Sequence, residues 1–172
     1  MVKYGCYIIK DEFFKKFNDP FLKGNKNENR PHYCCFPDKD NANLFWVIPM
    51  SHKSDKYEKI VEKKALQNKP CDIIHIIEIG GNKSAMLIQD MFPITEEYID
   101  RPYTIKGIHL IIKSKKYIEA LEKKSTNIYR LIHRKVKINP TQPDVLSIKF
   151  KLLQKLEQKE TSEANNTELH NN

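Results

Sequence analysis

Apolar residues recur along this chain in two rhythms, short runs that alternate in twos and longer ones at helical spacing, and their interleaving predicts an α+β fold. Val2 to Ile9 reads as a first strand. Asp11 offers an N-cap to a short helix over residues 12–17, with Phe13, Phe14 and Phe17 on one face. Residues 18–31, holding Pro20, Gly24 and several asparagines, predict a polar loop that is either a nucleic-acid clamp or a solvated connector. The runs His32 to Phe36 and Leu44 to Ile48 predict a hairpin across residues 37–43. A basic helix follows over Asp55 to Leu66. Residues 72–79 and 84–89 form a second hairpin around Gly80-Gly81-Asn82-Lys83, a strong turn signal. Asp90 to Pro93 breaks the strand, residues 94–98 read as a turn or short helix, and Tyr103 to Ile112 as a further short strand. Ser114 caps a helix to about Val136, with Tyr117, Ile118, Leu121, Ile128, Leu131 and Ile132 facing the core. Thr141 or Gln142 then precedes Pro143 at the start of a last helix carrying Val145, Ile148, Leu152, Leu153 and Leu156. From Glu160 the burial pattern stops, which predicts one domain over 1–159 and a disordered polar tail over 160–172.

Composition narrows this picture. A length of 172 residues suits a single core. The excess of 30 Lys and Arg over 22 Asp and Glu, a formal charge of +8, favours an anionic partner, although charge alone does not choose among nucleic acid, membrane and solubility. No run approaches the roughly 20 apolar residues of a spanning helix, and no apolar signal segment follows Lys3, so a soluble, cytoplasmic protein is expected. Cys6, Cys34, Cys35 and Cys71 lack C-x-x-C spacing. Adjacent Cys34 and Cys35 point to opposite faces of a strand, so packed thiols are expected and no metal is implied. His75 lies among isoleucines and reads as a satisfied sheet histidine. There is no Walker loop, dinucleotide fingerprint or zinc-protease motif.

Candidate chemistry concentrates where the apolar run Leu44 to Ile48 stops at Pro49 and delivers Met50-Ser51-His52-Lys53 before a helix. A hydroxyl, an imidazole and an ammonium on a strand-to-helix corner suit phosphate handling. The same residues also make an ordinary linker in which Ser54 or Asp55 merely caps the helix. If the first hairpin is antiparallel, the end that carries Arg30 and His32 meets the end that carries Ser51 to Lys53.

Several segments together carry a family likeness. Tyr4-Gly5-Cys6-Tyr7, Arg30-Pro31-His32-Tyr33, Phe45 to Ser51, Lys69 to His75, Leu87 to Pro93 and Pro140 to Leu146 resemble, in unchanged order from about residue 3 to 150, the CptN-type toxins of type III toxin–antitoxin systems, grouped with the ToxN and AbiQ endoribonucleases. The resemblance implies a compact, twisted antiparallel sheet or barrel of the MazF/Kid type, elaborated with several helices. It implies metal-independent cleavage of single-stranded RNA without cofactor, inhibition by a repetitive pseudoknot antitoxin RNA cut from its own precursor, and a part in phage defence. Ser51 matches the family's hydroxyl and Lys53 its lysine. His32 falls where relatives present a basic residue, and His52 departs from their Ser-Ser or Thr-Ser pairs.

Such cleavage must deprotonate a 2′-OH, stabilise a crowded phosphorane and protonate a 5′-oxygen. Lys53 is then the charge stabiliser and His52 or His32 the acid or base, with Ser51 orienting the phosphate. Arg30, Lys23, Lys26 and Lys56 would hold the RNA backbone, and Tyr33 or Tyr57 would stack a base or pack in the core. The antitoxin RNA is expected to join protomers into a closed RNA–protein assembly with little direct protein dimerisation. A non-catalytic RNA-binding module fits the charge and aromatic content equally well, and a basic scaffold is a third reading.

Overall fold

The computed structural model describes residues 1–25 and 29–169, so Lys26 lies outside the described residues. It is an α+β fold with nine strands and four helices among those residues. Strand β1 (Cys6–Ile9) leads into helix α1 (Asp11–Lys16), then β2 (His32–Pro37), β3 (Leu44–Ser51) and helix α2 (Ser54–Leu66). Next come β4 (His75–Ile79), β5 (Asn82–Met86), a 3-10 turn at Ile88–Asp90, β6 (Phe92–Thr95), a second such turn at Glu96–Tyr98, and β7 (Ile99–Pro102). The small β8 (Thr104–Ile105) and β9 (Ile108–His109) precede helices α3 (Lys115–His133) and α4 (Val145–Leu169).

Seven strands make one antiparallel sheet in the order β4-β5-β3-β2-β1-β7, with β6 as a further partner of β3. Strand β3 organises it because its eight residues are long enough to serve two partners on one flank. Its first half pairs with β6, Leu44 opposite Thr95, and its last two residues pair with β5, Met50 opposite Met86 and Ser51 opposite Ala85. Between them the Leu87 amide donates to the Pro49 carbonyl at 2.9 Å, where the 3-10 turn bends the neighbouring chain. The sheet ends in β4 and β7 and does not close into a barrel, which corrects the barrel form of the expectation. The free edge of β4 is covered instead, as the Glu78 amide donates to the Tyr117 hydroxyl of α3 at 3.2 Å.

Both hairpins occur where expected. The β2–β3 pair contains a bulge between Cys34 and Phe36, so Cys34 and Cys35 are both buried, and the Cys35 thiol lies 3.1 Å from the Ser125 hydroxyl of α3. The β4–β5 turn is Gly80-Gly81, both at positive φ (58° and 79°), the tight form that matches strand twist. His75 is half-buried, its Nε2 makes no hydrogen bond among the described residues, and burial with the charge of Lys124 and Lys116 pushes its pKa down to about 4. It is a sheet histidine, as expected, but its buried Nε2 is not satisfied.

The main core joins Trp46, Ile48, Phe92 and Ile94 of the sheet to Phe13 and to Leu121, Ile128 and Ile132 of α3. Helix α4 adds Val145, Ile148 and Leu152. It is clamped to the β2–β3 turn by Lys149, whose ammonium lies 2.9 Å from Asp38 and 2.6 Å from Asp40. Asp38 also accepts from the Trp46 indole at 2.6 Å. Helix α2 packs on the other face of β4 and β5, against a separate small cluster of Ile74, Ala85 and Leu87.

Several boundaries differ from the sequence reading. Asp11 is the first residue of α1 rather than its cap, and Lys53 occupies the cap position of α2. Asp144 caps α4, accepting from the Ser147 amide at 3.0 Å, so Pro143 stands just outside the helix. Strand β7 is unexpected, and the segment after it is a hairpin rather than one strand. Helix α4 continues past Glu160 to Leu169, through Glu-Thr-Ser-Glu-Ala-Asn-Asn-Thr-Glu-Leu, a stretch with no apolar stripe. None of the described helices is long and apolar enough to cross a membrane.

Candidate active site

The corner after β3 is short because β3 stays paired through Ser51 and α2 begins at Ser54, leaving only His52 and Lys53 between them. Ser51 is 8% exposed, and its hydroxyl accepts the Lys53 amide at 3.3 Å, closing a tight serine turn. That turn leaves the His52 and Lys53 side chains exposed, and neither has an ion-pair or hydrogen-bond partner among the described residues. Lys53 makes no side-chain cap bond to α2. The first amides of that helix therefore open beside a free ammonium, an arrangement that favours an anion.

Arg30 supports the corner from below. Antiparallel pairing sets His32 opposite Pro49, the Met50 amide donates to the Pro31 carbonyl at 2.9 Å, and Arg30 Nε donates to the Met50 carbonyl at 3.2 Å. The guanidinium is 5% exposed. Burial lowers its pKa, while the nearby Asp90 and Tyr57 favour its charge. Asp90 in turn is bridged by Lys23 at 2.8 Å. Arg30 is thus placed to hold Met50-Ser51 rather than to reach out along a surface, while Lys23 stays exposed where it meets Asp90.

Two further candidates lie in the interior. His32 is fully buried between the rings of Phe14 and Phe92, 6.1 and 5.5 Å away, and desolvation together with the charge of Arg30 pushes its pKa down to about 3. A neutral imidazole sealed from solvent does not touch a substrate. Tyr33 is likewise fully buried, stacked 6.4 Å from Tyr4, so its ring is not offered to a base. Tyr57 is half-buried against the small cluster under α2, with the Lys56 ammonium 5.7 Å above its ring. The structure therefore brings together Ser51, His52, Lys53 and Arg30, with Lys23, Lys56 and Tyr57 nearby in the fold, and separates His32 and Tyr33 from them by burial.

Beside the corner lies a cleft of about 530 Å³ between two hairpin turns, with His52, Ser54, Asn82 and Ser84 on one side and Tyr103 and Ile105 on the other. The far wall belongs to β8–β9, whose turn residues Lys106 and Gly107 both have positive φ (52° and 78°). The sequence reading missed this wall. The Lys106-Gly107 pair, flanked by Ile105 and Ile108, was the signal that marks it. Among the described residues no three His, Cys, Asp or Glu side chains gather as a metal-binding set.

A scan against protein-family models finds no match, and neither does a search among curated proteins. Solved structures do share the fold. AbiQ, a lactococcal anti-phage endoribonuclease belonging to the type III toxin–antitoxin system, superimposes with a TM-score of 0.67 at 16% identity over 91% of this chain and 99% of its own. A structure from bacterial type III toxin–antitoxin systems, concerned with selective toxin inhibition by a non-coding RNA pseudoknot, gives 0.64 at 15% identity over 91% and 99%. A third, from a bacterial antiviral system regulated by a processed non-coding RNA, gives 0.59 at 13% identity over 86% and 96%.

Proposed function

We propose that this protein is the toxin of a type III toxin–antitoxin system, a metal-independent endoribonuclease that cuts single-stranded RNA by attack of a 2′-OH on the adjacent phosphate. The observation that carries the reading is the free Lys53 ammonium beside the uncapped start of α2, in a fold shared over 91% of the chain with AbiQ. Lys53 and the helix amides neutralise the charge that develops on the phosphorane. His52, exposed in the same corner, is the candidate for proton transfer with the 2′-OH or the 5′-oxygen. Ser51 holds the turn through its bond to the Lys53 amide and offers its remaining hydrogen-bonding capacity to a phosphate oxygen. The 2′-oxygen bonds to phosphorus as the P–O5′ bond breaks, and the proton lost by the 2′-OH is balanced by one gained at the 5′-oxygen, giving a 2′,3′-cyclic phosphate and a 5′-OH.

The partner in this reading is a repetitive pseudoknot RNA that is cut by the toxin, then retained as its inhibitor in a closed RNA–protein assembly, with a role in phage defence. The net charge of +8 and the RNA inhibition described for a protein of the same fold support it. The test is incubation of purified protein with single-stranded RNA in EDTA. Discrete fragments ending in cyclic phosphate are expected, lost in Ser51→Ala and Lys53→Ala variants whose circular dichroism is unchanged. RNA that is bound but left intact would instead support a non-catalytic binding module, and activity needing added Mg²⁺ would overturn the metal-independent step.

A further inference from the structure

We propose that the cleft beside the corner is a nucleobase subsite in which Tyr103 is the stacking platform, seating an unpaired base next to the phosphate held at Ser51 to Lys53. The inference rests on the endoribonuclease reading for the identity of its ligand as RNA. Its lining mixes two chemistries: Tyr103, Ile105 and Ile79 are apolar, whereas Asn82, Lys83 and Ser84 are polar. That division suits a flat base, which has an apolar face and a hydrogen-bonding edge. A volume of about 530 Å³ has room for one nucleoside.

Tyr103 is built to hold still. Its amide donates to the Cys6 carbonyl of β1 at 2.9 Å and its carbonyl accepts the Leu110 amide at 2.9 Å, so the ring rises from backbone fixed on both sides. The hydroxyl makes no hydrogen bond among the described residues, and the ring is only half-buried. Tyr103 also borders a second cleft of about 460 Å³, lined by Asn29 and Thr104. A single strand crossing from one cleft to the other passes over this ring. Tyr33 and Tyr57 do not compete for the role, since the first is buried and the second, half-buried like Tyr103, does not line this cleft.

The probe is a fully 2′-O-methylated oligoribonucleotide carrying one 2-aminopurine, moved position by position. It cannot be cut, so stacking is read apart from catalysis. Wild-type protein is expected to quench the fluorophore at one position. Tyr103→Ala should abolish the quenching and weaken binding about 10- to 100-fold, while Tyr103→Phe preserves both. On unmodified RNA, Tyr103→Ala should raise KM and blur the choice of cleavage site more than it lowers kcat. A folded Tyr103→Ala variant with wild-type quenching and cleavage pattern overturns the proposal. If that variant does not fold, Ile105→Ala decides, since its side chain is 37% exposed and lines the same wall: unchanged affinity and cleavage pattern overturn the subsite. Quenching that depends on Tyr103 in a protein that leaves unmodified RNA intact would keep the subsite and defeat the nuclease reading. Cleavage by the wild type with no response to either variant would do the reverse.

Discussion

His32 and Lys53 are basic residues that one hairpin end brings near each other, yet burial gives them opposite fates. Lys53 stays exposed. His32 is buried without exposure between phenylalanine rings, with its pKa pushed to about 3, so the folded protein refuses a proton that the unfolded chain accepts below about 6.5. The sign follows from linkage: this contribution to stability is complete above pH 6.5 and is lost as the pH falls toward the folded value, by about 1.4 kcal/mol per pH unit for one such group. His75, held at about 4, acts in the same direction. Urea unfolding at pH 7 and pH 5 is expected to show lower stability at pH 5. His32→Leu should flatten that dependence while lowering catalysis little, if the imidazole has no chemical role. An unchanged pH slope in the variant would show that the burial of His32 is not what makes the fold sensitive to acid.

At the scale of elements, α4 is tied to the sheet by two cations, Lys155 at Glu97 and the buried Lys149 at Asp38 and Asp40. Asp38 is buried, and although desolvation disfavours its carboxylate, hydrogen bonds from Lys149 and Trp46 keep its pKa below the usual range. Lys149→Met leaves that charge uncompensated and should cost about 3–5 kcal/mol in urea unfolding, whereas Lys149→Met with Asp38→Asn should recover part of the loss. A single variant as stable as wild type would show that the Lys149–Asp38 pair is not what holds α4. The elements themselves were legible wherever periodicity and turn chemistry agreed, as in the β2–β3 hairpin, the Gly80-Gly81 turn and the apolar stripe of α3. Strand β7 was not, because Ile-Asp-Arg-Pro has no alternation and pairs along the outside of β1. The corner at Ser51 to Lys53 was legible as a break between an apolar strand and a charged helix. Core packing of Tyr33 was one of two open readings, whereas the burial of Arg30 and His32 was not legible, since it is imposed by residues distant in sequence: Phe14, Phe92 and Met50.

For the whole molecule, the formal charge of +8 predicts RNA binding that weakens steeply with salt. A log–log plot of affinity against salt should lose about one unit of slope in Lys53→Ala if that ammonium meets a phosphate. Size-exclusion chromatography with the repeat RNA should show a complex larger than the bare protein. A salt-insensitive protein dimer with no larger species would argue against an assembly held by RNA. The separate seating of α2 has a consequence of its own. Its only buried residue is Ser54, at the end next to Lys53, and the rest of the helix rests on a small cluster apart from the main core. Such a helix lifts off before the sheet melts, so on warming the free protein should lose activity reversibly several degrees below its unfolding transition, with protease nicks falling within 54–66. An RNA gripping the amides at the start of α2 binds only the seated helix. On the proposed function, the RNA-bound protein would then outlast the free one under heat and proteolysis, so that an RNA which silences it would also be what preserves it.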